Sequence, residues 1–488
     1  MKVKIFSRVL AMVSLAGFSL SMSPPQPGAE KLDIMPNILF ILVDDLGKEW
    51  ISCYGAEEIN TPNIDALAIG GMKFQNAYSM PQCTPSRVTI LTGKYPWQNG
   101  WVNHWDVPRW GVGYFDWKKK ENISVARLLK AHGYSTCAAG KWQINDFRIE
   151  PEAMRKHGFD DWAMWTGFET GNPASSERYK DAYVNSPDGS KTYRGQFGPD
   201  LYAQHLIAFM KQHRDEPMFM YFPMVLTHTP LIATPDETNV ETDIEKHKAM
   251  VRYTDKLVGQ LVAALDELNL RESTIIVFTT DNGSTGGISG TRHGQKVQGA
   301  KAKKTEAGIN APFIVNCPGL VPAGVETDAL TDFSDLLPTF VELCGASVPK
   351  DLRINGVSIA PLILGKQRDT VREWIMALGH GPAKLDESGV RGQQDFASRV
   401  IRDKHYKVWV SSEREIIRLH DLKKDPFEST NLIHSKRNEH MKALAKFQDV
   451  LDSLPEKDAR PLYEPRQANP WDKAFKQEYT EKPMGAGH

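Results

Sequence analysis

The sequence predicts an α/β protein: a large mixed, mainly parallel sheet flanked by helices, followed by a smaller C-terminal α+β subdomain containing an antiparallel sheet. Three observations predict it. "NILFILV" from Asn37 and "TIIVF" from Thr274 are continuous apolar runs without alternation, the pattern of strands covered on both faces. Segments with apolar residues at helical spacing lie between such runs. Beyond residue 370 the pattern changes to short strand-like stretches and one amphipathic helix.

The chain opens with "MKVKIFSRVLAMVSLAGFSLSMS", which has a basic start, an apolar middle and small residues behind it. That is the composition of an export signal, so residues 1–23 are expected to be removed and the protein to be periplasmic or secreted. The apolar stretch is shorter than the roughly 20 residues that span a bilayer. No later segment comes close, and no membrane span is expected.

Four apolar runs then end in residues able to do chemistry. "NILFILVDD" ends at Asp44 and Asp45, "YSTCAAGKW" reaches Lys141, "MFMYFPMVLTH" reaches His228, and "STIIVFTTDNG" reaches Asp281 and Asn282. The helical patterns between them are "SVARLLKAHGY", which stops at Gly133, then "DLYAQHLIAFMKQH" and "HKAMVRYTDKLVGQLVAALDELNL". Ligands of such sheets bind beyond the carboxyl ends of the strands, so the four polar endings are expected on one rim. Near the C-terminus, "FASRVIRDKHYKVWVSS" and "EIIRLHDL" read as antiparallel strands, "RNEHMKALAKFQDVLDSL" as an amphipathic helix, and "ARPLYEPRQANPWDK" as a Pro-rich tail. An insertion at 165–195 mixes aromatic, polar and turn residues, a composition suited to stacking on sugars or to a plain surface loop.

With 488 residues, 41% of them hydrophobic, the chain can bury one large core and a smaller one. Lys+Arg 59 against Asp+Glu 60 leaves a net charge of -1, which makes no electrostatic case for nucleic acid. Five cysteines fit neither a disulfide framework nor a zinc ribbon. Cys137 and Cys344 lie in apolar contexts and read as small core residues. Cys83 differs, because Pro81 and Pro85 imply a fixed turn around it. An Asp after one strand is commonly a turn former, but two strands ending in Asp-Asp and Asp-Asn bring three carboxylates and an amide together. Such a set needs a cation, and all-oxygen ligation favours Ca²⁺ or Mg²⁺ over zinc.

With "CTPSRVTILTGKYP" added to "ILFILVDDLG", "GYSTCAAGKW", "LTHTPL", "TTDNG" and "GAKAKKTEAGINAPFIVNCPG", all in one order, the sequence resembles the formylglycine-dependent (type I) sulfatases of the alkaline phosphatase superfamily. The resemblance runs from Asn37 to "LHDLKKDPFESTNL" at 419–432. It implies an alkaline phosphatase-like catalytic domain at 36–370 and a C-terminal subdomain at 371–488. It also implies that a formylglycine-generating maturation enzyme oxidises Cys83 to an aldehyde, 3-oxoalanine. One hydroxyl of the hydrated aldehyde attacks sulfur, and the other expels sulfate as the aldehyde reforms. By the same resemblance, Asp44, Asp45, Asp281 and Asn282 hold one Ca²⁺, with the residue made from Cys83 as a further ligand. Arg87 orients the formylglycine, Lys141 and Lys301 grip sulfate oxygens, and His228 contacts sulfate and protonates the leaving oxygen.

Two departures from that pattern matter. The family usually carries a His two residues after the lysine, where this chain has Gln143, which cannot accept a proton. His104 in "VNHWD" and His293 in "TRHGQ" are the candidates to reach the substrate from loops and take over as base. The family's "EGG" stands here as "TEAGIN". The expectation is an exported sulfuric ester hydrolase, arylsulfatase-like, acting on a sulfated carbohydrate or another sulfate ester. Alternatives are a phosphonate monoester or phosphodiester hydrolase of the same superfamily, and a non-catalytic homologue that binds sulfated glycans.

Overall fold

Five parallel strands form the middle of an 11-stranded sheet. Across the sheet they run Thr274–Thr280, Asn37–Val43, Met218–Pro223, Ser135–Lys141 and Asp161–Trp165. Asn310–Asn316 lies antiparallel between Thr274–Thr280 and Met72–Tyr78. Four of the five parallel strands, Asn37–Val43, Ser135–Lys141, Met218–Pro223 and Thr274–Thr280, are those that the apolar runs predict; Asp161–Trp165 is not among them. Ile38, Phe40 and Leu42 point into one apolar layer, while Leu39, Ile41 and Val43 point into the other, each at most 1% exposed. Burial of both faces is what removes the alternation from the sequence.

In this computed structural model the described residues are 35–465, except 104–110, 115–121, 146, 148, 149, 166–177, 380–383, 387, 388, 392 and 393. The expected signal at 1–23, His104, much of the 165–195 insertion and the end of the Pro-rich tail lie outside them. No helix among the described residues is long and apolar enough to cross a membrane.

Helices Cys83–Thr92, Val125–Ala131 and Leu336–Leu343 contribute to the first layer. Pro62–Ile69, Gly198–Gln212 and Asp243–Glu267 contribute to the second. The last of these begins earlier than its apolar periodicity predicts, because Thr242 and Glu245 form a capping box that satisfies the orphan amides of its first turn.

The C-terminal antiparallel sheet runs Ile375–Leu378, Arg399–Arg402, Tyr406–Val410, Ile416–Asp421, and helix Asn438–Asp452 buries Phe447, Val450 and Leu451 with it. Its apolar cluster also takes in Tyr78, Met80, Tyr95, Ile309 and Leu330 from earlier in the chain. Several strands were not predicted as such. Ile375–Leu378 is too short to stand out, and part of the insertion forms a hairpin, Tyr183–Ser186 with Gly189–Thr192, that extends the main sheet instead of looping over it.

Candidate active site

The rim forms because neighbouring strands end level. Val43 pairs with Thr280, so Asp44 and Asp281 leave adjacent strands side by side. The Asp281 amide donates to the Val43 carbonyl at 3.0 Å, and the Asp44 amide to that of Leu226 at 2.8 Å. Asp45 sits at a φ of 60°, in the left-handed region, and its amide donates to Asp281 Oδ1 at 3.2 Å. Asn282 Nδ2 donates to Asp45 Oδ1 at 2.7 Å. Gly283 follows because a Cβ there would stand 1.9 Å from the Ala307 carbonyl oxygen. Gly140, before Lys141, has a φ of 130° and would clash with the Pro223 carbonyl in the same way.

Cys83 departs from the expected turn: it opens the ten-residue helix Cys83–Thr92. Pro85 is compatible because the first turn of a helix has no carbonyl waiting for its missing N–H. The helix ends at Gly93 in the left-handed conformation, which explains the glycine of "TILTGKYP". Cys83 is fully buried, and its sulfur lies within 4.8 Å of carboxylate oxygens of Asp44 and Asp281.

The same helix aims its other polar residues at this point. Ser86 Oγ donates to the Asp281 carbonyl at 2.5 Å and receives the Met80 amide at 3.0 Å, which ties the cysteine segment to the strand end. Arg87 is fully buried: Nε and Nη2 donate to Asp281 Oδ2 at 3.1 and 2.7 Å, and Nη1 to the Lys141 carbonyl at 2.9 Å. Burial opposes its charge, but Asp281 and Asp44 more than compensate and keep it cationic.

Lys141 Nζ donates to Asp44 Oδ2 at 2.6 Å, and Lys301 Nζ to Asp45 Oδ2 at 2.7 Å. Lys304 turns elsewhere, to Ser398 Oγ at 3.2 Å, so within the lysine run it is Lys301 that faces the rim. His228 Nε2 lies 3.7 Å from Asp45 Oδ2, and Nδ1 is 2.6 Å from the Thr229 carbonyl. A carbonyl accepts only, so Nδ1 carries the hydrogen and Nε2 is the nitrogen left to exchange a proton. Burial, then Lys141 and Lys301, hold the His228 pKa well below its ordinary value. Burial pushes Asp44 upward, yet Lys141, His228, Arg87 and Lys301 together hold it well below the usual carboxylate range. At Asp281, burial and the neighbouring Asp44 outweigh Arg87 and raise the pKa.

Three carboxylates therefore face three cations of the protein's own, which offsets part of the repulsion that the sequence implies. Two buried oxygens, Asp44 Oδ1 and Asn282 Oδ1, still have no hydrogen-bond partner among the described residues. A buried acceptor left unmade is costly. An oxygen-ligated cation answers that cost, and with the carboxylates of Asp45 and Asp281 alongside, the donor set fits calcium.

Sequence reasoning missed a supporting layer. Ser284 Oγ donates to buried Glu49 at 2.6 Å and accepts the Gly47 amide at 2.8 Å, which links the two loops that follow the Asp-Asp and Asp-Asn strands. Their only signal was proximity to those motifs. Gln143 is buried at a φ of 53°, and its carbonyl accepts from Thr84 Oγ1 at 3.4 Å, so it lies beside the cysteine helix. His293 is exposed at the turn between Ser289–Arg292 and Gln295–Gln298, where its amide donates to the Gly55 carbonyl. No hydrogen bond or ion pair joins it to the rim among the described residues. His104 lies outside them.

Comparison with known proteins gives the following. A family model described as Sulfatase matches residues 36–346, and one described as N-sulphoglucosamine sulphohydrolase, C-terminal, matches 301–457. N-acetylgalactosamine-6-sulfatase of Canis lupus familiaris is 31% identical over 382 residues, covering 74% of this chain and 70% of that protein. Arylsulfatase A of Homo sapiens is 29% identical over 446 residues, covering 82% and 83%. The ulvan-active sulfatase of Formosa agariphila is 28% identical over 426 residues, covering 82% and 77%. Among solved structures, Ps i-CgsB in complex with k-i-k-neocarrahexaose superposes with a TM-score of 0.72 at 23% identity, covering 92% of this chain and 98% of that one.

Proposed function

From the premise that this chain belongs to the sulfatase family and is a sulfuric ester hydrolase, we propose that it is an exported enzyme that removes sulfate from a sulfated carbohydrate, using a formylglycine made from Cys83 and one calcium ion. The observation that carries the reading is the placement of Cys83 at a helix start against Asp44 and Asp281, beside Asn282 and three basic side chains. Residues 36–370 act as the catalytic domain and 371–488 as the subdomain that supports it.

Asp44, Asp45, Asp281 and Asn282 are the residues to hold calcium, with the modified residue 83 as a further ligand. When bound, the ion supplies positive charge that acidifies a hydroxyl and polarises the sulfate. Arg87, fixed by three hydrogen bonds, keeps residue 83 and Asp281 in register. Lys141 and Lys301 place two ammonium groups on the cluster, where negative charge grows on the sulfate oxygens as the ester bond breaks. His228 presents Nε2 to the same point and gives its proton to the leaving oxygen. Burial and the two lysines otherwise keep the ring neutral; an anionic sulfate between the lysines and His228 offsets those cations and so favours the protonated Nε2 that gives up the proton.

Carbohydrate specificity draws support from the names of the relatives and from the aromatic residues around the insertion, where Arg178 stacks on Trp165 at 4.5 Å and bonds the Thr229 carbonyl next to His228. The test is a screen of matured protein against defined sulfated oligosaccharides, aryl sulfate and an aryl phosphodiester. Turnover of a sulfated sugar is expected; preference for the phosphodiester overturns the reading. For the second half-reaction, His104→Ala is expected to trap a sulfated residue 83 after acid quench, and Gln143→Ala to lower the rate mildly. Release of sulfate at the normal rate by His104→Ala removes it as the base.

A further inference from the structure

Away from the rim, three side chains of metal-ligating type converge between the sheet and a helix. In the parallel pairing of Ser135–Lys141 with Asp161–Trp165, Cys137 stands opposite Asp161, and paired residues share a face of the sheet. His205, from helix Gly198–Gln212, comes down on that face with Nε2 3.1 Å from Asp161 Oδ2. One ligand atom from each of Cys137, Asp161 and His205 lies within 4.8 Å of the other two. Cys137 is four residues before Lys141, about 13 Å back along the strand at about 3.3 Å per residue, so this cluster is separate from the calcium-type rim.

We infer that Cys137, Asp161 and His205 form a second metal site, one that takes a zinc-type divalent transition-metal ion. The donor set is one sulfur, one imidazole nitrogen and one carboxylate oxygen, which suits zinc and not calcium. In a tetrahedron with bonds of about 2.1 Å, ligand atoms stand about 3.4 Å apart. The 3.1 Å separation of nitrogen and oxygen is close to that edge, and the sulfur, within 4.8 Å of both and with its longer bond to metal, has to close by at most about 1.2 Å.

Charge and access agree with the geometry. A thiolate and a carboxylate neutralise the dication, and neutral His205 completes a set with no net charge, which a buried position tolerates. Without metal, burial and then Asp161 and Asp160 push the Cys137 thiol above its ordinary pKa. Binding therefore breaks the S–H bond, forms the sulfur–metal bond and releases one proton to solvent. The side chains of His205 and Asp161 are 25% and 36% exposed, leaving a way in and a fourth position for water. An ion there clamps helix Gly198–Gln212 to the two strands beneath it. The thiol that the sequence reads as core packing gains a second role.

The test uses the full chain, stripped with chelator and returned to calcium alone, then titrated with zinc and, as a spectroscopic probe, cobalt. One equivalent of cobalt is expected to give a thiolate-to-metal absorption that persists in Cys83→Ser and disappears in Cys137→Ser. Zinc affinity is expected to fall about tenfold or more in His205→Gln, with calcium-dependent sulfatase activity retained. An absorption that survives Cys137→Ser, or one that vanishes in Cys83→Ser instead, overturns the site. So does a zinc affinity unchanged in both His205→Gln and Cys137→Ser. Circular dichroism of each variant separates loss of ligand from loss of fold, and none of these readouts depends on which sulfate ester the enzyme prefers.

Discussion

At the scale of single residues, Cys83 shows how little a side chain's identity says without its surroundings. As a thiol it is a buried residue at a helix start; as the proposed aldehyde precursor, it would be the centre of the site. Peptides containing residue 83 from active enzyme are expected to carry the aldehyde mass, and Cys83→Ala to be folded and inactive. Full activity with an entirely unmodified thiol would falsify the mechanism. Lys141→Ala removes a donor where charge develops and is expected to lower kcat about 100- to 1000-fold in steady-state assays. Chelation should abolish turnover and lower the melting temperature, because the proposed ion would bind the folded rim only, and calcium should restore both. Normal turnover by exhaustively stripped protein would mean that the unpartnered oxygens of Asp44 and Asn282 have another explanation.

At the scale of elements, the segment that delivers Lys301 is held by a residue five positions on. Glu306 accepts from Tyr78 at 2.7 Å and Arg402 at 3.1 Å through Oε2, and from Lys407 at 3.2 Å through Oε1, and its amide donates to Glu428 at 2.8 Å. The C-terminal sheet thus braces the Lys301 segment. Glu306→Gln leaves Arg402 and Lys407 without that partner and is expected to cost about 3–5 kcal/mol in denaturant unfolding, the range for breaking a buried pair. Burial raises the Glu306 pKa, but Lys407 and Arg402 bring it down to about 2 from 4.5. A depressed carboxylate stabilises the fold above its unfolded pKa, and that stability fades as pH falls from about 4.5 through about 2. Stability measured from pH 6 to pH 3 should therefore fall less steeply in Glu306→Gln than in the parent chain; equal slopes would place the titration elsewhere.

At the scale of the whole molecule, the C-terminal sheet is a layer of the fold and not an appendage. Tyr78 and Met80 flank the cysteine segment yet share an apolar cluster with Val400, Val408 and Phe447. Arg372 bridges the two parts by pairing with Asp335, with its Nη1 3.6 Å from Asp332. A chain cut after residue 370 would expose that cluster to water. It is expected to lack the cooperative thermal transition of the intact protein, measured by circular dichroism. A sharp transition near the original temperature would show that the catalytic part folds alone.

Four of the five central parallel strands, the helices between them and the polar residues at their ends were legible because burial on two faces leaves an unbroken apolar run and a strand end is marked by an abrupt change of polarity. The resemblance then placed Cys83, Arg87, Asp44 and Asp281 in one site; in the structure Arg87 bonds Asp281, and the Cys83 sulfur lies within 4.8 Å of carboxylate oxygens of Asp44 and Asp281. Local pattern could not choose Lys301 over Lys303 and Lys304, since the choice rests on Asp45, 256 residues away. It predicted a turn at Cys83, because two prolines suppress helix in general but not in a first turn. It gave no weight to Glu306 or His205, whose partners arrive from other elements only once the sheet has registered. His293 had the right chemistry and the wrong place, on an exposed hairpin turn. Periodicity and polarity are properties of neighbours in the chain, so the sequence determines which elements form; the partners of a charged side chain depend on strand register and layer packing, and only the tertiary structure decides them.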